Sequence, residues 1–458
     1  MADLSQWRRR VGRMGARQLR RPGMVVAAGF ATAILVVTLL LLLPIAHQDG
    51  ARTSFRQALF TATSAVCVTG LVVVDTPTHW TTFGQAVVVS AIQFGGLGFM
   101  TSASLLGLIV ARRMGLRGRL LTAAETKTLG LGDVRRVVRG VALVSFAVEG
   151  IVAVVVGLRL WLSYDVPAGS AAYRGLFHAV SSFNNAGFAL YSDSLIGFAT
   201  DPVVCLPLAA AVILGGLGFP VLFELRRELR TPQRWSVHTK ITVVGTAMLL
   251  FGGTAAFLAL EWRNPATLGP LSGPDKLLVG FFQGGVQPRT AGFNSIDYGK
   301  AHETSLLVTD VLMFIGGGSA GTAGGIKVTT FMLLFFAVLA EVRGEPTVDT
   351  FGRQLPPAVL RQALSVALLS LALVASGTLV VLGLSGLDLD PVLFEVVSAF
   401  GTVGLSTGIT AALPGSAQYV LIGLMFAGRI GPITLASALA LRERRKLYRL
   451  PEERPIVG

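Results

Sequence analysis

The chain has 458 residues, of which 52% are hydrophobic and only 14% are charged, and its mean hydropathy is +0.66. Soluble domains carry about a quarter charged residues, so this composition excludes an ordinary soluble domain and indicates a protein that crosses a membrane several times. The net charge of +14 does not indicate a nucleic-acid partner, because the basic residues lie in short tracts between apolar stretches. The two cysteines, Cys67 and Cys205, match neither a disulfide framework nor a metal-binding spacing.

Apolar stretches of membrane-spanning length recur along the chain, and no cleavable signal precedes the first of them. They lie near 24–45, 84–111, 137–162, 203–224, 240–262, 305–340, 359–384 and 417–441. Basic residues cluster instead at 8–21, 112–139, 226–240, 343–361 and 442–454. Because lysine and arginine remain on the cytoplasmic side, this pattern predicts that both termini are cytoplasmic.

A twelve-residue pattern occurs between the two apolar stretches of each successive pair, and in every copy a phenylalanine stands ten residues before a glycine. The copies are FTATSAVCVTGL at 60–71, FHAVSSFNNAGF at 177–188, FQGGVQPRTAGF at 282–293 and FEVVSAFGTVGL at 394–405. Ten residues are about three helical turns, so each copy predicts a short helix that continues into a non-helical segment ending at the glycine. Four copies at one spacing indicate four copies of one supersecondary unit.

Non-helical backbone at membrane depth is tolerated only inside protein or beside water, so four such loops need a common axis to surround. Glycine lets four chains approach that axis, and Thr402-Val403-Gly404-Leu405 is similar to a potassium-channel filter, in which rings of carbonyls replace the water around the ion. We therefore predict an all-α polytopic membrane protein with four tandem helix–pore-loop–helix units around a pseudo-fourfold pore. It would have eight transmembrane helices and four short pore helices. The expected divisions are a basic N-terminus at 1–23, units at 24–111, 137–224, 240–340 and 359–441, and a C-terminal tail at 442–458.

The second helices of the units carry a weaker glycine repeat, as in Phe94–Phe99 and Leu214–Phe219, which predicts close helix packing. In the third unit the stretch GGGSAGTAGGIK at 316–327 lies in the middle of the apolar span. A membrane helix would not favour so much glycine, so the sequence predicts that this helix is broken there.

With four such units and a glycine-rich break in the third, nearly the whole chain resembles the Trk/Ktr/HKT superfamily of potassium translocation subunits. Only about 23 residues precede the first span, which is similar to the eight-span KtrB type. The resemblance implies a potassium pore in each monomer, a homodimer in the lipids of the plasma (inner) membrane, and a cytosolic KtrA-like nucleotide-binding ring. That ring would bind ATP or ADP and would dock on the basic tracts 112–139 and 226–240 and the tail 442–458. The transported ion would be K⁺, with no organic cofactor on this chain, no nucleic-acid partner and no enzymatic activity.

The resemblance also assigns residues. The filter carbonyls that hold K⁺ would be those of Val68, Thr69, Gly70, Leu71, Asn185, Ala186, Gly187, Phe188, Thr290, Ala291, Gly292, Phe293, Thr402, Val403, Gly404 and Leu405. The gate beneath them would comprise Gly316, Gly317, Gly318, Ser319, Ala320, Gly321, Thr322, Gly324, Gly325 and Lys327, with Arg429 facing the loop from the next unit. Three copies lack the second glycine of a potassium channel, which implies looser selectivity. In this superfamily a serine in the first unit goes with sodium permeation, so Gly70 points to potassium.

Two other interpretations start from the same residues. A membrane enzyme would need convergent acids or nucleophiles at membrane depth, but His178 is expected to bond locally in a pore helix and Glu149 to pair within the bundle. An alternating-access symporter that couples K⁺ to Na⁺ or H⁺ stays open, since broken helices and repeats also occur in that class. Asp75 and Asp297, each five residues after a repeat glycine, either concentrate cations or cap the loop exit.

Overall fold

The computed structural model describes residues 22–48, 52–113 and 134–440. These ranges are largely helical, with one antiparallel ribbon that pairs β1 (Asp349–Thr350) with β2 (Arg353–Gln354). The basic tract 8–21, most of 112–139 and the tail 442–458 lie outside the described residues. The α-helices are α1 (Pro22–Leu41), α2 (Phe55–Val66), α3 (Thr76–His79), α4 (Thr82–Arg113), α5 (Val134–Ser163), α6 (Ala168–Phe183), α7 (Pro202–Leu217), α8 (Phe219–Glu228), α9 (Val237–Glu261), α10 (Gly273–Val279), α11 (Glu303–Phe314), α12 (Val328–Val342), α13 (Pro357–Ser385), α14 (Leu389–Gly401) and α15 (Gly415–Ala440).

Among the described residues, five helices are long and apolar enough to cross a membrane by themselves. Only 28 to 39% of each apolar window is buried inside the protein. The outward faces therefore present large apolar side chains such as Leu35, Ile151 and Leu379, which is stable only where lipid covers them. The chain is a multi-pass membrane protein, as its composition predicts.

Short helices follow the long ones at all four copies of the repeat, and they bury the repeat phenylalanines. Phe60, Phe177, Phe282 and Phe394 are each at most 1% exposed. Helices α2, α6 and α14 end close to the predicted position, but the third short helix differs, since α10 continues as a π-helix over Gly280–Val286. Its wider turn packs closely on α9, where a Cβ on Gly253 would lie 2.6 Å from the carbonyl oxygen of Gly284.

Two second helices are interrupted rather than one. The break predicted at 316–327 is present between α11 and α12. The stretch 203–224, expected as one span, is instead bent by 102° between α7 and α8. Gly218 at the bend has a φ of +92°, Pro220 lies in the first turn of α8, and a Cβ on Gly218 would collide with the carbonyl oxygen of Ser319. The two interruptions therefore pack directly against each other.

Candidate functional site

The candidate site is formed by four non-helical segments that follow the short helices, and we call them the ring segments: 68–71, 185–188, 290–293 and 402–405. In each of them the glycine and the residue two positions before it have a positive φ, while the residue between them does not. The φ values are 57° and 96° at Val68 and Gly70, 58° and 70° at Asn185 and Gly187, 68° and 77° at Thr290 and Gly292, and 48° and 94° at Thr402 and Gly404. The four segments thus share one unusual alternation of backbone conformation.

The four glycines of the ring segments form a closed cycle. A Cβ built on Gly70 would lie 3.2 Å from the Cα of Gly187, and one on Gly187 would lie 2.9 Å from the Cα of Gly292. A Cβ on Gly292 would lie 3.0 Å from the Cα of Gly404, and one on Gly404 would lie 3.0 Å from the Cα of Gly70. Each segment therefore approaches the next too closely for any side chain, and the order follows the chain once around.

The ring segments are held by polar side chains of the short helices, which the sequence analysis did not single out. The amide of Gly70 donates to Ser64 Oγ at 3.0 Å, and that of Gly404 donates to Ser398 Oγ at 3.1 Å. Ser181 Oγ donates to the carbonyl of Phe188 at 2.8 Å. These serines stand six residues before the glycine in three of the copies, a spacing that could have identified them. The third copy uses Gln287 instead, whose Oε1 accepts from the amide of Phe293 at 2.8 Å.

The loop 316–327 lies against two of the ring segments. Thr322 Oγ1 donates to Asn185 Oδ1 at 2.8 Å, and a Cβ on Gly324 would collide with Thr402. The loop also continues the hydrogen bonding of the broken α7, because the amide of Gly318 donates to the carbonyl of Gly216 at 2.7 Å. The loop is therefore a packed element of the ring's surroundings, with its backbone groups partly satisfied by α7.

Three buried cationic side chains donate to backbone carbonyls of the loop 316–327, which interrupts the helix between α11 and α12. Arg429 Nη1 donates to the carbonyl of Thr322, and Arg289 Nη2 donates to that of Gly316. Lys327 Nζ donates to the carbonyl of Ala323 at 2.6 Å. The guanidinium of Arg429 also lies 4.3 Å from the ring centroid of Phe99. Arg289 was missed by the sequence analysis, although a charged residue inside a repeat copy was a signal for it.

The two residues considered for an enzymatic role, His178 and Glu149, have polar partners inside the protein. His178 Nδ1 lies 2.7 Å from the carbonyl oxygen of Arg174, and Glu149 accepts from Gln93 at 3.3 Å and from Asn184 at 3.2 Å. Across the described ranges, no group of three or more His, Cys, Asp or Glu side chains is placed to hold a metal ion.

The two acidic residues beyond the ring glycines also have hydrogen-bond partners. Asp297 Oδ1 accepts from the amide of Gly299 at 3.0 Å, which favours the capping role. Asp75 Oδ2 accepts from Ser192 Oγ at 2.7 Å and so joins the exits of the first two ring segments.

Comparison with known proteins supplies the family. Residues 17–447 match the sequence model of TrkH, a cation transport protein family. The chain is 41% identical over 437 residues to the Ktr system potassium uptake protein B of Bacillus subtilis, covering 95% of this chain and 97% of the relative. It is 37% identical over 451 residues to the potassium/sodium uptake protein NtpJ of Enterococcus hirae, covering 96% and 98%.

A solved structure supports the fold. The crystal structure of the potassium transporter TrkH from Vibrio parahaemolyticus superposes with a TM-score of 0.68 at 19% sequence identity, covering 89% of this chain and 84% of the other. The family match extends over almost the whole chain, including all four ring segments and the loop. The chain therefore belongs to the TrkH family of cation transport proteins.

Proposed function

We propose that this protein takes up potassium across the plasma (inner) membrane through a pore at the centre of the glycine ring. The closed cycle of Gly70, Gly187, Gly292 and Gly404 carries the proposal. Alternating positive and negative φ turns successive carbonyls toward the same side of a chain, so four such segments can direct their carbonyls at one axis. Relatives of similar length are named as potassium uptake proteins, which agrees with K⁺ as the ion.

The loop 316–327 is proposed as the gate. Its contacts with Asn185 and Thr402 hold it beside the ring, and Arg429 fixes it from another helix. In this proposal eight spans are formed by the five long helices, the bent pair α7 and α8, the interrupted pair α11 and α12, and α15. Both termini are cytoplasmic, two copies form a homodimer, and a cytosolic KtrA-like ring that binds ATP or ADP moves the loop.

An alternating-access symporter is the second candidate, because two broken helices meet beside the ring and discontinuous helices also occur in such transporters. Single-channel recording separates the two mechanisms. Discrete unitary currents require a continuous pore, whereas a symporter gives slow flux that depends on the coupled ion.

The first test is complementation of a bacterial host that lacks its own potassium uptake. Expression of this chain together with a KtrA-like regulatory subunit is expected to restore growth at low potassium, because carbonyl rings bind K⁺ without a fixed charge that would trap it. The empty vector and the regulatory subunit alone are the controls. If the protein is present in the membrane and growth is not restored, the proposed function is wrong.

Gly70→Ser is expected to admit sodium. The φ of +96° is unfavourable for serine, and the new Cβ would meet Ala186 and Gly187, so one quarter of the ring must shift. We expect the potassium-to-sodium permeability ratio to fall at least about tenfold, the factor that corresponds to about 1.4 kcal/mol. Gly29→Ser on α1 is the control, since nothing lies within 4 Å of a Cβ there. An unchanged ratio in Gly70→Ser would show that this glycine does not determine selectivity.

A further inference from the structure

Each short helix carries a buried polar residue directly after its repeat phenylalanine. The four residues are Thr61, His178, Gln283 and Glu395, and none is more than 2% exposed. Burying a polar side chain in a membrane protein is unfavourable unless it finds a partner. Three of these four residues have partners beyond the ring glycines.

Three of the four residues hold the chain just after a ring segment. The amide of Leu190 donates to His178 Nε2 at 3.3 Å, and the amide of Ser295 donates to Gln283 Oε1 at 2.7 Å. Glu395 Oε1 accepts from Ser406 Oγ. Leu190 and Ser295 stand three residues after a ring glycine, and Ser406 stands two residues after one. We call these contacts the exit ties.

The first unit lacks an exit tie. Thr61 occupies the same position, but its Oγ1 has no hydrogen-bond partner in the part of the chain that the structure describes. A threonine side chain is also shorter than those of histidine, glutamine and glutamate. The four quarters of the ring are therefore held unequally.

Glu395 holds the longest stretch of chain among the exit ties. Its Oε1 accepts from Ser406 Oγ and its Oε2 accepts from Thr410 Oγ1 at 3.0 Å, whereas Gln283 holds only Ser295. The side chain is fully buried, so this carboxylate draws residues 406–410 against α14 immediately beyond Gly404.

We propose that Glu395 is a positioning residue that sets the preference for K⁺ over Na⁺ by fixing the exit of the fourth ring segment. The inference rests on the proposed carbonyl-lined ring. On the size-fit account of selectivity, a ring that can contract around the smaller Na⁺ binds it almost as well as K⁺, whereas a ring whose exits are fixed cannot follow the smaller ion. The tie of Glu395 restrains one quarter of the ring against such a contraction.

The test is Glu395→Gln in the full chain, reconstituted in vesicles. Glutamine keeps the size but replaces one acceptor oxygen by an amide that only donates, so the hydroxyl that donated to this oxygen must turn and accept instead, which alters the tie. We expect the potassium-to-sodium flux ratio to fall about fivefold, the factor that corresponds to the typical net contribution of one hydrogen bond. The melting temperature in detergent is measured alongside, to show that the variant is folded.

Thr61→Val is the matched control, because it changes the same position of the first unit, where there is no tie to lose. Its flux ratio should equal that of the parent. Thr410→Val removes one donor from the other side of the Glu395 tie and is expected to lower the ratio in the same direction. If Glu395→Gln does not fold, the flux ratio of Thr410→Val tests the role of the Glu395 tie.

A folded Glu395→Gln or Thr410→Val with the parent's ratio would overturn the proposal. An equal loss of selectivity in Thr61→Val would also overturn it, because any substitution in a short helix would then lower selectivity, whether or not it removes an exit tie. Flux through the parent protein in the same vesicles distinguishes a failure of the proposed function from a failure of the role of Glu395. A parent without potassium flux contradicts the proposed function, whereas a selective parent with equally selective variants contradicts only the role of Glu395.

Discussion

Replacing Gly404 by alanine is expected to abolish potassium uptake, whereas replacing Gly408 by alanine is expected to leave most of it. The two glycines have nearly the same φ, 94° and 95°, so the intrinsic strain of an alanine, about 1–2 kcal/mol, is the same at both. Their surroundings differ. A Cβ at Gly404 would collide with the carbonyl oxygen of Thr69, whereas nothing lies within 4 Å of a Cβ at Gly408.

This pair of variants separates backbone strain from closure of the ring. Uptake of rubidium as a potassium tracer, in cells and in vesicles, gives the flux, and the melting temperature in detergent gives the stability. We expect both variants to lose stability through the shared strain, Gly404→Ala to lose more because of the collision, and only Gly404→Ala to lose most of its flux. Similar flux losses in both variants would mean that strain alone is responsible and that the close approach of Gly404 to Gly70 is not needed for transport.

Arg429→Ala is expected to raise potassium flux and to weaken its dependence on the nucleotide bound by the proposed regulatory subunit. An arginine at the centre of a membrane helix costs about 2.5–3.5 kcal/mol on insertion scales, so its removal should not impair insertion. The variant loses the bond to the carbonyl of Thr322 and the contact with Phe99. The loop is then held less firmly beside the ring. Shortening the loop within 316–327 is expected to act in the same direction.

The control for this prediction lies on the same helix. A Cβ at Gly423 meets nothing within 4 Å, so Gly423→Ala changes α15 without touching the loop, and its flux should match that of the parent. Flux is measured in vesicles with the regulatory subunit and either ATP or ADP. If Arg429→Ala and the shortened loop are folded and conduct no more than the parent, the loop is not the barrier and the gate lies elsewhere.

The sequence predicted those features of the fold that depend only on a short stretch of the chain. The Phe-to-Gly spacing located the short helices, and the glycines of 316–327 located one broken helix, because both patterns lie within a few turns of chain. The sequence also predicted that the four segments surround one axis, because exposed backbone is not tolerated in lipid. The contacts that hold the loop beside the ring could not be predicted from a local pattern, because they join remote residues such as Thr322 and Asn185, which are 137 residues apart.

Local patterns also failed where the partner of a residue lies in another unit. The sequence around Gly218 does not distinguish it from other small residues of an apolar helix, because its close contact is with the carbonyl of Ser319 in the third unit. The role of Arg289 was likewise not evident, because its acceptor, the carbonyl of Gly316, lies 27 residues away. The π-helix at Gly280–Val286 depends on the close surface of α9. In each case the deciding contact is made by tertiary packing, which the spacing of residues along the sequence does not reveal.

The cycle of four glycines is built by a single chain, and this has a genetic consequence. In a channel assembled from four identical subunits, one mutation changes every quarter of the ring at once. Here a mutation changes only one quarter, as the different residues Thr61, His178, Gln283 and Glu395 already illustrate. In the proposed pore, each inherited change of one ring segment therefore leaves the other three quarters of the ring intact.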